Sequence, residues 1–268
     1  MPQPPLTYVF LQHEMIKRGF VRVLKAISAR GRGLARRSCE GTDESIHEAR
    51  LLIKRSRALL GLVRPALAPS AYARARTRLR KAAAVLAKVR DFSVKQSTLE
   101  QLTRKATKTR DRAAIALTLR SLARNPVSGA AQKKSSHRML KQAVEMLCQS
   151  IDDITRSVAD DAAWPTPSDR VRKAFRATRK AGKKARCTGK DADFHTWRKK
   201  AKTLFYQLEL TQSKPGRRMV RIIKCVGQLQ EKLGAYHDCL VVEDLLRHLL
   251  PLPPAEQRVA HLLEKRKI

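Results

Sequence analysis

The chain has 268 residues, 43% of them hydrophobic, which suffices for a buried core in one large domain or two small ones. Lys and Arg number 58 against 23 Asp and Glu, and the net charge of +35 lies far beyond the magnitude of roughly 2–8 that keeps a small domain soluble. Helical periodicity in the apolar residues excludes a disordered basic tail, and self-repulsion on this scale points to a polyanionic partner such as nucleic acid, polyphosphate, a sulfated sugar or an anionic membrane surface.

Breakers at Pro65 to Ser70, Asn125 to Ala130, Trp164 to Asp169, Ser213 to Gly216 and Pro251 to Pro254 divide the chain. The segments between them are rich in Ala, Leu, Arg and Lys, with apolar residues three or four apart and no alternating strand pattern, so the expected class is all-α. Met1 to Phe20 lacks the basic start and apolar run of a signal peptide, and no stretch approaches 18 apolar residues. The expected address is cytoplasmic. Five scattered cysteines (Cys39, Cys148, Cys187, Cys225, Cys239) contain no Cys-x-x-Cys pair and read as reduced thiols. Cys239 follows His237 by two residues, but nothing nearby completes a metal-ligand set, so it reads as a buried thiol.

In chain order, Arg18, Arg22 and Lys25 make a short basic row near the N-terminus. Ser45 opens the next helix as an N-cap, with Glu48 placed for a capping box, and His47, Arg50, Lys54 and Arg57 follow at helical steps to form a row of donors. Arg74, Arg78, Lys81 and Lys88 make another row, interrupted at Val85, and Arg90-Asp91 follows it. His137 to Val158 is a core helix, with Leu140, Val144, Leu147, Ile151, Ile154 and Val158 on one stripe. Arg172, Arg176, Arg179, Lys183 and Arg186 then march at steps of four and three. Asp193 caps a helix carrying His195, Arg198, Lys199 and Lys202, with Phe205 where a fourth basic residue would stand, and Arg221 with Lys224 begins a last row.

An internal repeat organises these features. Ser45-Ile-His47-Glu-Ala-Arg50 through Lys54 recurs 148 residues later as Asp193-Phe-His195-Thr-Trp-Arg198 through Lys202. Leu86 to Val94 recurs at an offset of 147 as Leu233 to Val241, with His237-Asp238 in place of Arg90-Asp91. Two motifs repeated in the same order imply a duplicated helical unit, with halves over about 8–125 and 134–254 and a C-terminal helical extension over 255–268. A solvated face is the ordinary meaning of one basic stripe. Several together, with few acids to neutralise them, favour a multivalent anion that relieves the repulsion. Arg forks onto phosphate oxygens, Lys acts as a flexible point charge, and an imidazole held against phosphate favours its protonated form.

The motifs His47-x-x-Arg50-x-x-x-Lys54-Arg55 with Arg57, Arg90-Asp91-x-x-Val94, His195-x-x-Arg198-Lys199-x-x-Lys202 and Leu229-Gln230-x-x-Leu233-Gly234-x-x-x-Asp238 resemble the CHAD domain, the conserved histidine α-helical domain. The resemblance runs from about residue 10 to 250. It implies two related antiparallel bundles of about four helices each, a pseudo-twofold axis, and a central basic groove or pore holding inorganic polyphosphate, with association to polyphosphate granules. Carried over, the ligands are His47, Arg50, Lys54, Arg55, Arg57 and Arg90 in the first unit and His195, Arg198, Lys199 and Lys202 in the second. Thr203, Phe205 and His237 depart from the family pattern.

The expectation is thus a polyphosphate-binding module with no cofactor, no metal and no membrane insertion. A sequence-independent DNA-binding protein is the rival, weakened by an aromatic content of 4% that leaves few stacking platforms. An enzyme is not expected, since the chain shows no Gly-rich phosphate loop, acidic metal cluster or activated nucleophile.

Overall fold

The structure, a computed structural model, describes residues 8–11, 13–37, 43–105, 109–123, 130–158, 164, 166–211, 215–247, 257, 259, 261 and 262. Among these residues every regular element is a helix: α1 (Ile16–Arg37), α2 (Asp43–Val63), a 3-10 turn (Arg64–Ala66), α3 (Pro69–Lys105), α4 (Thr109–Ala123), α5 (Ala130–Ser157), α6 (Pro167–Thr188), α7 (Asp191–Thr211) and α8 (Arg217–Arg247). The all-α class follows the sequence, and the breakers at Pro65, Pro167 and Gly216 fall at helix junctions. No described helix is long and apolar enough to cross a membrane.

On α1, Phe20, Val23, Leu24, Ile27 and Leu34 recur at helical steps and are all buried. Their partner is α5. A Cβ added at Gly31 would meet Val144, Leu147 and Cys148 at 3.5–3.8 Å, and the Cys148 thiol donates to the Ser28 carbonyl at 3.7 Å. The stripe read on α5 is buried at Leu140, Val144, Leu147, Ile151 and Ile154. On α3, Ala71, Ala75, Leu79, Ala82 and Leu86 form the buried face, and α2 and α5 pack along α3.

Both repeat helices start two residues before the expected caps. Asp43 and Asp191 open α2 and α7, again 148 residues apart, because a carboxylate in the first turn complements the helix dipole. Ser45 therefore lies inside α2 and the Ser45–Glu48 capping box is not the start of the helix. Asp193 likewise lies in the first turn of α7, where its carboxylate accepts from Lys184 Nζ and Thr188 Oγ1, both at 2.8 Å. These bonds clasp α7 to the end of α6, which Gly189 closes in the left-handed region (φ 64°) with its N–H on the Ala185 carbonyl.

Packing does not divide the chain at residues 125–135. The helix α5, placed by that division in the second unit, packs on α1 and α3 of the first. One core runs through α1, α2, α3 and α5 and takes in Leu204, Phe205, Tyr206, Leu208 and Leu210 of α7 and Val226 of α8. The C-terminal half of α7 is thus buried against the first repeat, which joins both repeats around one core. Truncating a wholly buried member such as Leu52 or Leu59 would cost about 2–5 kcal/mol. A smaller cluster joins Leu99, Ala114 and Ile115 to Cys239, Val242 and Val259, so the segment after Pro254 contributes a buried residue.

Candidate functional site

On α2, His47, Arg50, Lys54, Arg57 and Gly61 are separated by steps of three and four and so share one face. His47 and Arg57 are exposed, while Arg50 and Lys54 are half-buried. The strip ends at Gly61, whose carbonyl accepts from Arg170 Nε and Nη2 at 3.1 and 3.0 Å, and where a Cβ would come within 3.0 Å of Gln207 Nε2. Gln207 also donates to the Ala58 carbonyl at 3.4 Å. On α7, His195, Arg198, Lys202, Tyr206 and Glu209 follow the same kind of steps, ending beside Arg55 of α2. On α2 the basic strip runs on into the contact with α7, whereas on α7 Gln207 lies about 120–180° around the helix from His195, Arg198 and Lys202. The two basic rows lie toward the N-terminal ends of their helices. They begin about 16–18 Å along each helix from the Ala58–Gln207 contact, at 1.5 Å per residue.

The first row is thickened by α3. Arg57 lies beside Arg80 and Arg76, and Arg64 stacks 5.2 Å over the Tyr72 ring. Tyr72, Arg76 and Arg80 are one turn apart each and form the flank of α3 that meets α2. Burial of the Arg57 guanidinium against this seam, and next the charges of Arg80 and Arg76, hold its pKa below the usual arginine range, although the side chain keeps one side open to solvent. A guanidinium crowded by two others is a ready anion site.

The α3 row read from sequence lies on the other flank. Arg78 forms an ion pair with Asp153 of α5, and Arg74 and Lys81 sit on that same side, exposed. Steps of three and four did group Arg74, Arg78 and Lys81 correctly, but the row faces α5 rather than α2. Arg76 and Arg80 are the residues that were missed. The side chains of Lys88 and Arg90, and the Asp91 carboxylate, lie outside the described residues. Arg55 also differs from its row: it is 9% exposed, with its guanidinium 4.9 Å from the Tyr8 ring. It is a core cation near Glu209, whose carboxyl burial pushes up in pKa and Arg55 pulls back. The short N-terminal row is likewise committed in part, because Arg22 binds the Glu14 carboxylate and the Val9 carbonyl.

In the second half, an open cleft of about 660 Å³ lies between the start of α7 and α8, lined by Asp191, His195, Lys199, His237 and Asp244 among others. The His195 and His237 rings are 5.1 Å apart. The repeat made these two histidines correspond to His47 and Arg90 but did not reveal that they meet. Burial first, then Lys199, Arg198 and Lys202, lowers the His195 pKa and so favours the neutral imidazole. Tyr236 donates to Asp191, and burial, followed by that carboxylate, raises the phenol pKa. Among the described residues no group of three or more His, Cys, Asp or Glu is placed to hold a metal ion.

Two rows are not gathered with these. Arg221 and Lys224 are exposed on α8 about 140–160° around the helix from His237, at roughly 100° per residue. Arg172, Arg176 and Arg179 are exposed on α6, whose buried residues are Thr178, Gly182 and Ala185. Gly182 marks the α6–α7 contact: a Cβ there would come within 2.7–2.9 Å of the Trp197 indole. Trp197 lies about 100–160° around α7 from Arg198, Lys202 and His195. Arg172, Arg176 and Arg179 lie about 60–120° around α6 from Gly182, and Arg186, the last of that row, stacks 5.8 Å over the Trp197 ring, so the α6 row flanks the α6–α7 contact rather than joining the α7 row.

Helices in repeated order, each of the repeated pair carrying a basic strip, define an all-helical protein whose two matching histidine-bearing helices, α2 and α7, pack together. A family model described as the CHAD domain matches residues 22–247. The chain belongs to the CHAD domain family. Among solved structures it is similar to the CHAD domain from the plant Ricinus communis, at 17% identity and a TM-score of 0.69 over 99% of this chain and 91% of that one. It is also similar to PptA from Streptomyces chartreusis, at 13% identity and a TM-score of 0.66 over 94% of this chain and 93% of that one. No curated protein matches the sequence.

Proposed function

We propose that this protein binds inorganic polyphosphate without turning it over, along the basic strips of α2 and α7 and the Arg76–Arg80 flank of α3. The observation that carries this reading is the gathering of like charges: Arg57 with Arg76 and Arg80 in one repeat, and His195 with Arg198, Lys199 and Lys202 in the other. In both places the charged form of a side chain is disfavoured by burial and by its neighbours, so each place is relieved by an anion. A linear polymer of phosphates supplies many anionic oxygens at short intervals, which suits strips spread along two helices better than a single small anion does. Membership of the CHAD domain family supports the reading, and the proposal includes an address at polyphosphate granules in the cytoplasm.

Eight cations, Arg50, Lys54, Arg57, Arg76, Arg80, Arg198, Lys199 and Lys202, would release about 0.7 counterion each if all met phosphate. Titration with long-chain polyphosphate at several salt concentrations is therefore expected to give saturable binding whose logarithm falls with log salt at a slope of about −5 to −6. Absence of saturable binding, or binding indifferent to salt, refutes the proposal. Duplex DNA is the rival ligand. Trp197, Phe205 and Tyr206 are packed against neighbouring side chains and offer bases no platform, but phosphate contacts alone need none.

A further inference from the structure

Five cations of α6, Lys173, Arg176, Arg179, Lys180 and Lys183, are exposed and meet no carboxylate among the described residues. Arg172 reaches Asp169 only at 3.6 Å, with both side chains largely open to water. Like charges at three- and four-residue spacing on a helix repel by a few tenths of a kcal/mol per pair, and α6 carries a run of them without an acid between. This face is turned from the α6–α7 contact, its five cations lying about 60–180° around α6 from Gly182, which is pressed against Trp197, while Arg186 at the end of the helix stacks on that indole. It looks away from α2 as well, since Arg170 and not the row supplies the contact with Gly61. A polymer lying on the strips of α2 and α7 would have to bend around the α6–α7 pair to reach it.

We infer that the outer face of α6 is a second, independent binding surface for linear polyphosphate, so that one protein molecule holds two chains and cross-links them. The inference rests on the proposed function for the ligand's identity and adds to it a second surface and a consequence. The strips of α2 and α7 with the α3 flank take one chain. The outer face is open along a helix about 33 Å long at 1.5 Å per residue and takes a segment of another. Charge complementarity selects the occupant. The row mixes Arg and Lys, and among the described residues the single large apolar side chain exposed on α6 is Phe175, which leaves a protein partner little apolar surface there. Cross-linking turns a decorated polymer into a network, which is the physical requirement for gathering polyphosphate into a dense body.

A sandwich assay tests this. Long-chain polyphosphate is fixed to beads, the protein is bound and washed, and fluorescent long-chain polyphosphate is then offered. The wild-type protein is expected to capture the second chain. A variant carrying Arg172→Gln, Arg176→Gln, Arg179→Gln and Lys183→Gln should load onto the beads with affinity reduced by less than about threefold yet capture at least about tenfold less second chain. A charge-matched control, with Arg36, Arg104, Arg138 and Lys141 changed to Gln, should capture as the wild type does. All four control positions are exposed and lie outside the α6 row. Undiminished capture by the α6 variant, or equal loss in the control, overturns the second surface while leaving the proposed function intact. Failure of the wild type to load at all overturns the proposed function instead. Capture of fluorescent duplex DNA, with polyphosphate refused, overturns the inferred occupant.

Discussion

Replacing Arg76 and Arg80 together by Gln isolates the part of the site that α3 supplies. Both residues flank Arg57 on the side where α2 and α3 meet, and neither has a carboxylate partner among the described residues. A hydrogen bond to a charged group is worth about 1.5–3 kcal/mol when shielded, and exposure to solvent and salt reduces that to roughly 1 kcal/mol for each of these side chains. The double variant should therefore lose about 2 kcal/mol, or about 30-fold in affinity for long-chain polyphosphate. Its salt slope should become shallower by about 1.4, the counterions no longer released. Removing two charges that crowd Arg57 also relieves repulsion, so thermal stability without ligand should hold or rise. Fluorescence anisotropy with labelled polyphosphate, read beside a melting curve, measures all three. The comparison is Arg74→Gln with Lys81→Gln, the same charge change on the flank facing α5. Equal losses in the two variants would refute the assignment of the α2-facing flank and leave only net charge at work.

Three further outcomes are expected. His195 has a lowered pKa, so the unfolded chain binds its proton more readily than the folded one: stability without ligand should decline as pH falls below about 6.5, while polyphosphate, which favours the imidazolium, should bind more tightly over the same range. His195→Gln should flatten both trends, and trends unchanged in that variant would contradict the role. Gly182→Val should destabilise the fold by about 1–3 kcal/mol in chemical denaturation, because the added side chain meets the Trp197 indole, and a neutral result would place the α6–α7 contact elsewhere. Polyphosphate incubated with the protein and Mg²⁺ should release no orthophosphate above the uncatalysed rate, and sustained turnover would replace a binding module with an enzyme.

Much of this was legible in the residues because periodicity and duplication are written in them. Steps of three and four identified the α2, α6 and α7 rows and the buried stripe of α5, and the offset of 148 carried over to the observed starts of α2 and α7. Facing was not legible. Arg76 and Arg80 belong to a row as regular as Arg74, Arg78 and Lys81, and only the positions of α2 and α5 beside the Ala71–Leu86 face decide which flank meets which helix. Arg55 looked like a surface donor beside Lys54, yet one residue is about 100° of helix, enough to turn it inward under Tyr8. The meeting of His195 with His237 joins residues 42 apart on different helices, which no local pattern encodes. The place of α5 was missed for the same reason, since its stripe shows that it packs but not against whom.

The most direct measurement is a competition at equal phosphate concentration and physiological salt, with the protein first saturated by labelled long-chain polyphosphate. Duplex DNA is expected to leave that complex intact, while unlabelled polyphosphate displaces the label. Displacement by DNA as readily as by polyphosphate would contradict a site matched to a linear phosphate polymer.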